Sequence, residues 1–366
     1  MASRLLRERI NPAIHFCRLF GLGLLHSDSI ATRIVDMFLL FVNFVVCLYS
    51  YFHITSLVSE KMPDIWDITT VVSVIRLYIR IFSTPLIIIL SQFQKRTLTR
   101  IICEFDNIVP GSIEPAFLWS FVFYSVVWLL GNIVGECLTM VAFHVRTKFE
   151  YFSFKDVFLI VIFNFWMFVP LLQYLFMIKA IRLGVQNIND SITSMEQWKL
   201  LRLKWKELGR LSIHLTSNVV GEIILTYMVC KIADIIFFIF LIYFYGYKEG
   251  SKLVMSLFLI NVCLEVVGVF ELFRQCNICK LELLKTHTVL NSVNINTKSD
   301  YRQLKFASLY MLHTDFKFMP CGIFEMNYRN FVTVNDHTDF SVCSFSSSNE
   351  TLMDKAAKMM YNLNKG

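Results

Sequence analysis

Apolar positions along this chain gather into stretches of about 20 residues separated by polar connections. A helix of that length crosses a hydrocarbon core about 30 Å thick. Six stretches meet the requirement, at about 37–58, 65–90, 117–144, 157–178, 223–245 and 253–273. They predict an all-α, polytopic membrane protein, a bundle of six transmembrane helices with amphipathic helices outside the bilayer. Upstream, the apolar patch from Phe20 to Leu25 is short and lacks a small-residue cleavage site, so the first span is expected to act as its own insertion signal.

The connections have a pattern of their own. Between the fourth and fifth spans, Met195–Leu215 places Trp198, Leu201, Trp205 and Leu208 at helical spacing, with Lys199, Arg202, Lys206 and Arg210 largely on other faces. This predicts an amphipathic helix outside the membrane. Three roles are open to it: packing beneath the bundle, a subunit contact, or adsorption to the membrane surface. Two further helical stretches, roughly Cys279–Leu290 and Tyr301–Leu312, follow the sixth span.

Composition sharpens this reading. The chain has 366 residues, 55% of them hydrophobic and only 17% charged, where a soluble domain carries about 25%; its mean hydropathy is +0.55. Of the 35 Lys and Arg, twenty-six fall before the first span, in the second and fourth connections, or after the sixth span. The opposite side receives six, and Arg76, Arg80 and Lys231 lie inside spans. Positive residues resist translocation, so both termini are expected in the cytoplasm. The net charge of +7 is therefore a topology signal, and no nucleic-acid partner is expected. The sequons at Asn189 and Asn349 fall on the cytoplasmic side and are expected to stay unmodified.

Charges inside spans cost about 2.5–3.5 kcal/mol each on insertion scales, so each needs a reason. Arg76 and Arg80 share one face of the second span, Glu136 lies in the third, Lys231 and Asp234 in the fifth and Glu265 in the sixth. In one reading Lys231 and Asp234 pair locally at i,i+3 while the arginines find Glu136, backbone carbonyls or the interface. In the other, some of these residues line a hydrated cavity that receives a ligand or passes ions. Gly131 and Gly135 form a GxxxG in the third span, which permits close helix contact.

Catalytic patterns are missing: there is no Gly-rich phosphate loop, HExxH or GxSxG, and the chain is not read as an enzyme. The ten Cys are scattered singly, apart from Cys276 and Cys279. That pair has no second pair and no nearby ligand His, so no metal or cofactor is expected.

The segment from Leu304 to Asn327, LKFASLYMLHTDFKFMPCGIFEMN, resembles the segment before the last helix of insect gustatory receptors. There a long helix leads to a Cys-Gly followed by an aromatic or aliphatic residue, Phe and an acidic residue. Here those positions are Cys321, Gly322, Ile323, Phe324 and Glu325. FCRLFGLGLL, from Phe16 to Leu25, is similar to the entry motif of the same receptors. The resemblance covers roughly Phe16–Val334, defines a domain at 1–334, and is nearest to the bitter-taste subgroup of flies.

It implies a taste chemoreceptor in the cell membrane of gustatory neurons. Such a receptor has seven helices with a cytoplasmic N-terminus and forms homo- or hetero-tetrameric ligand-gated cation channels with other gustatory receptor subunits. A small-molecule tastant binds in the outer half of the helices, and the last helix lines the pore. That helix carries a Thr-Tyr, five residues and Gln-Phe signature that does not occur here. Instead Tyr328–Val334 opens an apolar run and 335–366 is polar throughout, with a possible short helix at Asn349–Tyr361. Such a tail is expected to be mostly disordered. The abrupt change looks like a shifted reading frame, a retained intron or a mispredicted exon, and the chain as written is expected to be non-conducting. The alternatives are a G-protein-coupled-type receptor, which calls for an extracellular N-terminus and an Asn-Pro-x-x-Tyr, and a small-solute transporter, which more often shows internal repeats.

Overall fold

The computed structural model describes residues 30–61, 68–109, parts of 123–138, 154–248, 252–293, 297–314, 316–328 and 330. The entry motif at Phe16–Leu25, Glu136, the tail at 335–366 and the short helix expected within it lie outside the described residues.

The architecture is all-helical: α1 is Ile30–Lys61, α2 Ile68–Ile108, α3 Phe154–Ser191, α4 Met195–His214, α5 Gly221–Leu241, α6 Lys252–Ser292 and α7 Lys298–His313. Helical residues between 123 and 138 belong to the third predicted span. Within the described residues four helical stretches are long and apolar enough to cross a membrane, in α2, α3, α5 and α6, and a shorter apolar stretch, Met37–His53, lies in α1.

These helices carry their polarity inward. On α1, Asn43, Cys47 and Ser50 are buried while Met37, Phe38, Phe41, Phe44 and Phe52 are exposed. On α2, Arg76, Arg80 and Thr84 recur every four residues on the buried face, and Ile75, Phe82, Leu86 and Phe93 point outward. Water drives this arrangement the other way in a soluble protein. In lipid the apolar side chains are at ease outside, and polar groups must find protein partners. Ser50 and Thr84 turn their hydroxyls to the carbonyls of Val46 and Arg80, four residues back, at 2.7 and 2.9 Å.

Helix α3 is the hub. Of its most apolar stretch 78% is buried, against 33% for α2 and α6, and its core side chains include Trp166, Met167, Tyr174, Ile178 and Ile181. It packs most extensively on α6 and α2, while α5 lies between α2 and α6. Pro170 in α3 and Pro85 in α2 sit inside uninterrupted helices, as neighbouring helices permit in membrane bundles.

Three helices outrun the bilayer. α2 and α6 have 41 residues and α3 has 38; at 1.5 Å per residue each spans about 60 Å, twice the hydrocarbon thickness. The expected separate helix at Cys279–Leu290 is thus the continuation of the sixth span in α6. No Pro or Gly interrupts Phe273–Ser292, so the change from apolar to polar composition marks a change of solvent and not an end of helix.

Outside the apolar zone, α4 forms as its periodicity predicts. The Ser194 hydroxyl accepts the Gln197 N–H at 3.3 Å and caps the first turn, which satisfies one of the orphan N–H groups of the helix start. Trp198, Trp205, Leu208 and Leu211 are buried along one face. A π-helical turn, Leu215–Val219, joins α4 to α5. Thr216 in that turn meets the Tyr174 hydroxyl at 2.9 Å, and Tyr174 reaches the Cys276 thiol at 3.0 Å, tying the turn to α3 and α6. Cys276 and Cys279 are both buried and free, and among the described residues no group of His, Cys, Asp or Glu is arranged to hold a metal ion. Asn189 is buried too, donating to Glu282 and accepting from Thr286.

Candidate functional site

Five of the six charged residues picked out inside the spans converge on one point. Asp234 of α5 accepts from Arg76 Nε at 2.6 Å and from Arg80 at 2.7 and 3.2 Å. Lys231 lies one turn before Asp234, 4.0 Å from its carboxylate, and makes its short contact to Glu265 of α6 at 2.6 Å. The third span's Glu136 is outside the described residues. The local Lys231–Asp234 pairing expected from i,i+3 spacing is therefore the long edge of a larger network. The arginines find Asp234, and Lys231 turns across to a different helix.

Helix geometry explains why these groups can meet. Arg76, Asp234 and Glu265 each stand about 11 or 12 residues inside the predicted ends of their spans. At 1.5 Å per residue that is roughly 17 Å, near the middle of a core about 30 Å thick. Three helices thus bring their charges to one depth, and the spacing of four in α2 places both arginines on the face turned to α5. All five side chains are less than a tenth exposed, and Asp234 has no exposure at all.

Aromatic packing closes the network. The Arg76 guanidinium lies 4.6 Å from the ring centroids of both Phe237 and Phe238, and the Lys231 ammonium lies 5.6 Å from that of Tyr227. A cation over a desolvated aromatic face gains up to about 2 kcal/mol. The sequence reading did not single out Phe237, Phe238 or Tyr227. The available signal was their spacing, three or four residues from Asp234 and Lys231 on α5, which in a chain with 35 Phe does not stand out. Gly135 is used as its motif suggested: a Cβ there would lie 2.5 Å from the Asn261 amide oxygen, so the bare glycine lets α6 approach closely.

A second constellation lies at the end of the bundle that holds α4 and α7. After α7 the chain returns through Phe316 and Phe318, both buried, with Phe316 edge-on to Trp205 at 5.3 Å. It then turns through Pro320–Gly322, where Cys321 and Gly322 take φ of 50° and 71°. Two left-handed residues in succession reverse the strand, a conformation cheap for Gly and costly for other residues. The reversal brings the Met326 N–H back to the Phe318 carbonyl at 2.8 Å. Phe324 stacks on Phe273 of α6 at 6.1 Å, and Glu325 accepts from Lys280 of α6 at 2.7 Å. Phe324 and Glu325 thus tie the motif to α6, and the turn packs on α5 and the π turn. The Cys321 side chain is exposed, yet partial desolvation, with the Glu222 carboxylate nearby, pushes its thiol above the ordinary range, which disfavours a nucleophilic role.

Gly221, the first residue of α5, is the seat of this loop. A Cβ built there would lie 2.7 Å from the Cys321 backbone nitrogen and 2.9 Å from the Thr216 carbonyl oxygen. Both obstacles are backbone, so neither can swing aside. Gly221→Ala is expected to cost about 1–3 kcal/mol through overpacking. At Gly322 nothing lies within 4 Å of such a Cβ, so Gly322→Ala should cost only the left-handed penalty, about 1 kcal/mol. Thermal midpoints of the two variants in detergent check this, and a larger loss at Gly322 would contradict the assignment.

No protein-family model matches the sequence, and no curated protein matches it either. The fold does have counterparts. The structure of the insect olfactory receptor OR5 from Machilis hrabei superposes with a TM-score of 0.55 over 95% of this chain and 99% of that one, at 8% identity. The same receptor in complex with eugenol gives a TM-score of 0.56 over 91% and 95% of the two chains, again at 8% identity. This chain is similar in fold to an insect olfactory receptor. At that identity the likeness is one of architecture, and it extends over nearly the whole of both chains.

Proposed function

We propose that this chain is a subunit of an insect chemoreceptor, of the gustatory type, which binds bitter or aversive small molecules within its helices and belongs to tetrameric ligand-gated cation channels. The observation that carries the reading is the fold likeness to an insect olfactory receptor along nearly the full length of both chains. The Cys-Gly-Ile-Phe-Glu turn supports the gustatory branch: its residues occupy a built junction between α5, α6 and the residues that follow. The olfactory receptor's complex with eugenol favours a small organic ligand here as well. A receptor fold of this kind also weighs against the transporter, the G-protein-coupled type and an enzyme.

Within this reading the buried ion network is a structural lock. Its five side chains are buried, and Arg76, Arg80, Lys231, Asp234 and Glu265 hold α2, α5 and α6 in register.

Ligand-induced stabilisation of the purified chain tests the proposal, because a ligand that binds only the folded state at a hundred times its Kd adds about 2.7 kcal/mol. Bitter alkaloids and glycosides are expected to raise the thermal midpoint by several degrees, while eugenol and other volatile odorants leave it unchanged. A shift with odorants alone would move the chain to an olfactory role, and no shift across both panels would overturn the chemoreceptor reading.

A further inference from the structure

Along α6 an outward-facing stripe recurs every seven residues. Leu253, Ile260 and Val267 are 64%, 45% and 56% exposed, which within the sixth span is exposure to lipid tails. Arg274 is the next position on that stripe, and its side chain is 39% exposed. The fourth and sixth spans are expected to end at Ile178 and Phe273, so Lys179 and Arg274 are the first residues beyond them. They belong to α3 and α6, which pack extensively on each other and run on as helix past both positions. Both side chains therefore stand at the level where hydrocarbon gives way to lipid headgroups.

The seam between these helices changes character at that level. Leu171 and Leu175 of α3 meet Gly268 and Leu272 of α6 around a cavity of about 10 Å³, so the seam is packed within the apolar zone. Lys179 and Arg182 follow on the same stripe of α3, four and seven residues after Leu175, and both are half-buried. Lys179 lies within electrostatic reach of Arg182 and, across the seam, of Glu271 and Arg274. Glu271 accepts from Arg274 at 2.8 Å and from Gln275 at 2.6 Å. Three cations thus gather around one carboxylate.

We propose that Lys179, Arg182 and Arg274 form a binding site for the phosphate of an anionic phospholipid, whose acyl chains lie along Leu253, Ile260 and Val267. Charge selects the ligand first. Half-buried cations in excess over their carboxylate are completed by an anion, and a basic pocket between membrane helices at headgroup depth suits a lipid phosphate. Shape selects it further, because the apolar stripe and the cation that ends it form one continuous surface, matched by a molecule with tails and a charged head. The lysine and arginine asymmetry of the chain places this end on the side expected to be cytoplasmic, and the cytoplasmic leaflet is the one rich in anionic lipid. Whatever the receptor senses, the site requires only that the chain span a membrane.

Native mass spectrometry of the delipidated full chain in detergent, offered phosphatidylserine and phosphatidylcholine in equal amounts, tests the assignment. Each Lys or Arg beside an anionic headgroup strengthens binding about fivefold, so phosphatidylserine is expected to be retained at least roughly tenfold over phosphatidylcholine. Changing Lys179, Arg182 and Arg274 together to Gln should abolish that preference. Changing Lys199, Arg202 and Lys204, exposed on α4, to Gln removes the same charge and should leave the preference intact. If the first triple variant does not elute as folded protein, Arg274→Gln alone, at a half-exposed position, is expected to weaken the preference about fivefold. Millimolar inorganic phosphate, which has no tails to anchor it, should not displace the lipid. Equal retention of the two lipids would overturn the proposal, as would an equal loss in the α4 variant. Displacement by inorganic phosphate would make this a site for a free anion and overturn it too.

Discussion

Asp234→Ala is expected to remove most of the folded protein. Asp234 is fully buried and receives three hydrogen bonds from Arg76 and Arg80. Its loss leaves both guanidiniums and Lys231 at the middle of the bundle, with Glu265 as the carboxylate still described there. Breaking a buried ion pair by deleting one partner costs about 3–5 kcal/mol, because the remaining charge stays desolvated. That is a large fraction of the total stability of an ordinary domain. Fluorescence-detected size exclusion and a thermal midpoint in mild detergent measure the loss directly. The combined variant Arg76→Met, Arg80→Met, Asp234→Leu is the informative companion. It removes both signs together and fills the space, so it should recover much of the stability that Asp234→Ala loses. If Asp234→Ala instead melted with the unaltered chain, the network would not be what holds α2 to α5.

The 366-residue chain, expressed by itself, is expected to give no tastant-evoked current. The resemblance places the pore on a last helix with a Thr-Tyr and Gln-Phe signature. In this sequence 335–366 holds seven charged residues and no run of 20 apolar ones. At about 2.5–3.5 kcal/mol per charge in a helix centre, that segment is expected not to insert as a spanning helix. Whole-cell recording with a panel of bitter compounds checks this, and fusing a gustatory-type last helix after Val334 should restore a current. A robust current from the unfused chain that vanished with Asp234→Ala would overturn the argument. Sequencing the transcript across the codons for Val332 to Gly366 reads the same question at its source, since a spliced or alternative frame is expected to encode an apolar last helix there.

Both expectations come from charge in an apolar setting, and they show where sequence reasoning held and where it stopped. Each of the five described intramembrane charges could be picked out one by one because hydrocarbon makes any charge conspicuous. Their partnership could not be read, since it depends on the relative rotation of three helices. Their common depth was not read either, because composition fixes the ends of a span only to within several residues. The rings around Arg76 escaped notice because Phe is too common in this chain to carry a signal. Gly221 escaped for a different reason, as it makes room for the backbone of Cys321, a residue one hundred positions away.

Helix ends failed in a consistent direction. Composition marks where the solvent changes, so the sixth span was expected to finish near Phe273, whereas α6 continues to Ser292. Where a specific cap was present the reading was closer: Ser194 and Thr297 hold the starts of α4 and α7 by side-chain hydrogen bonds, near the expected Met195 and Tyr301.

By itself the sequence determined that this is an all-helical, multi-pass membrane protein, because apolar runs of bilayer length have no other economical conformation when every backbone group must be satisfied internally. It also determined the residues of the Cys-Gly motif, since these are contiguous. Only the tertiary structure decided that Asp234 joins both arginines while Lys231 turns to Glu265, and that Gly221 seats the Cys-Gly turn. These contacts link positions 34 to 158 residues apart, and nothing local in a chain encodes which face of one helix will meet which face of another.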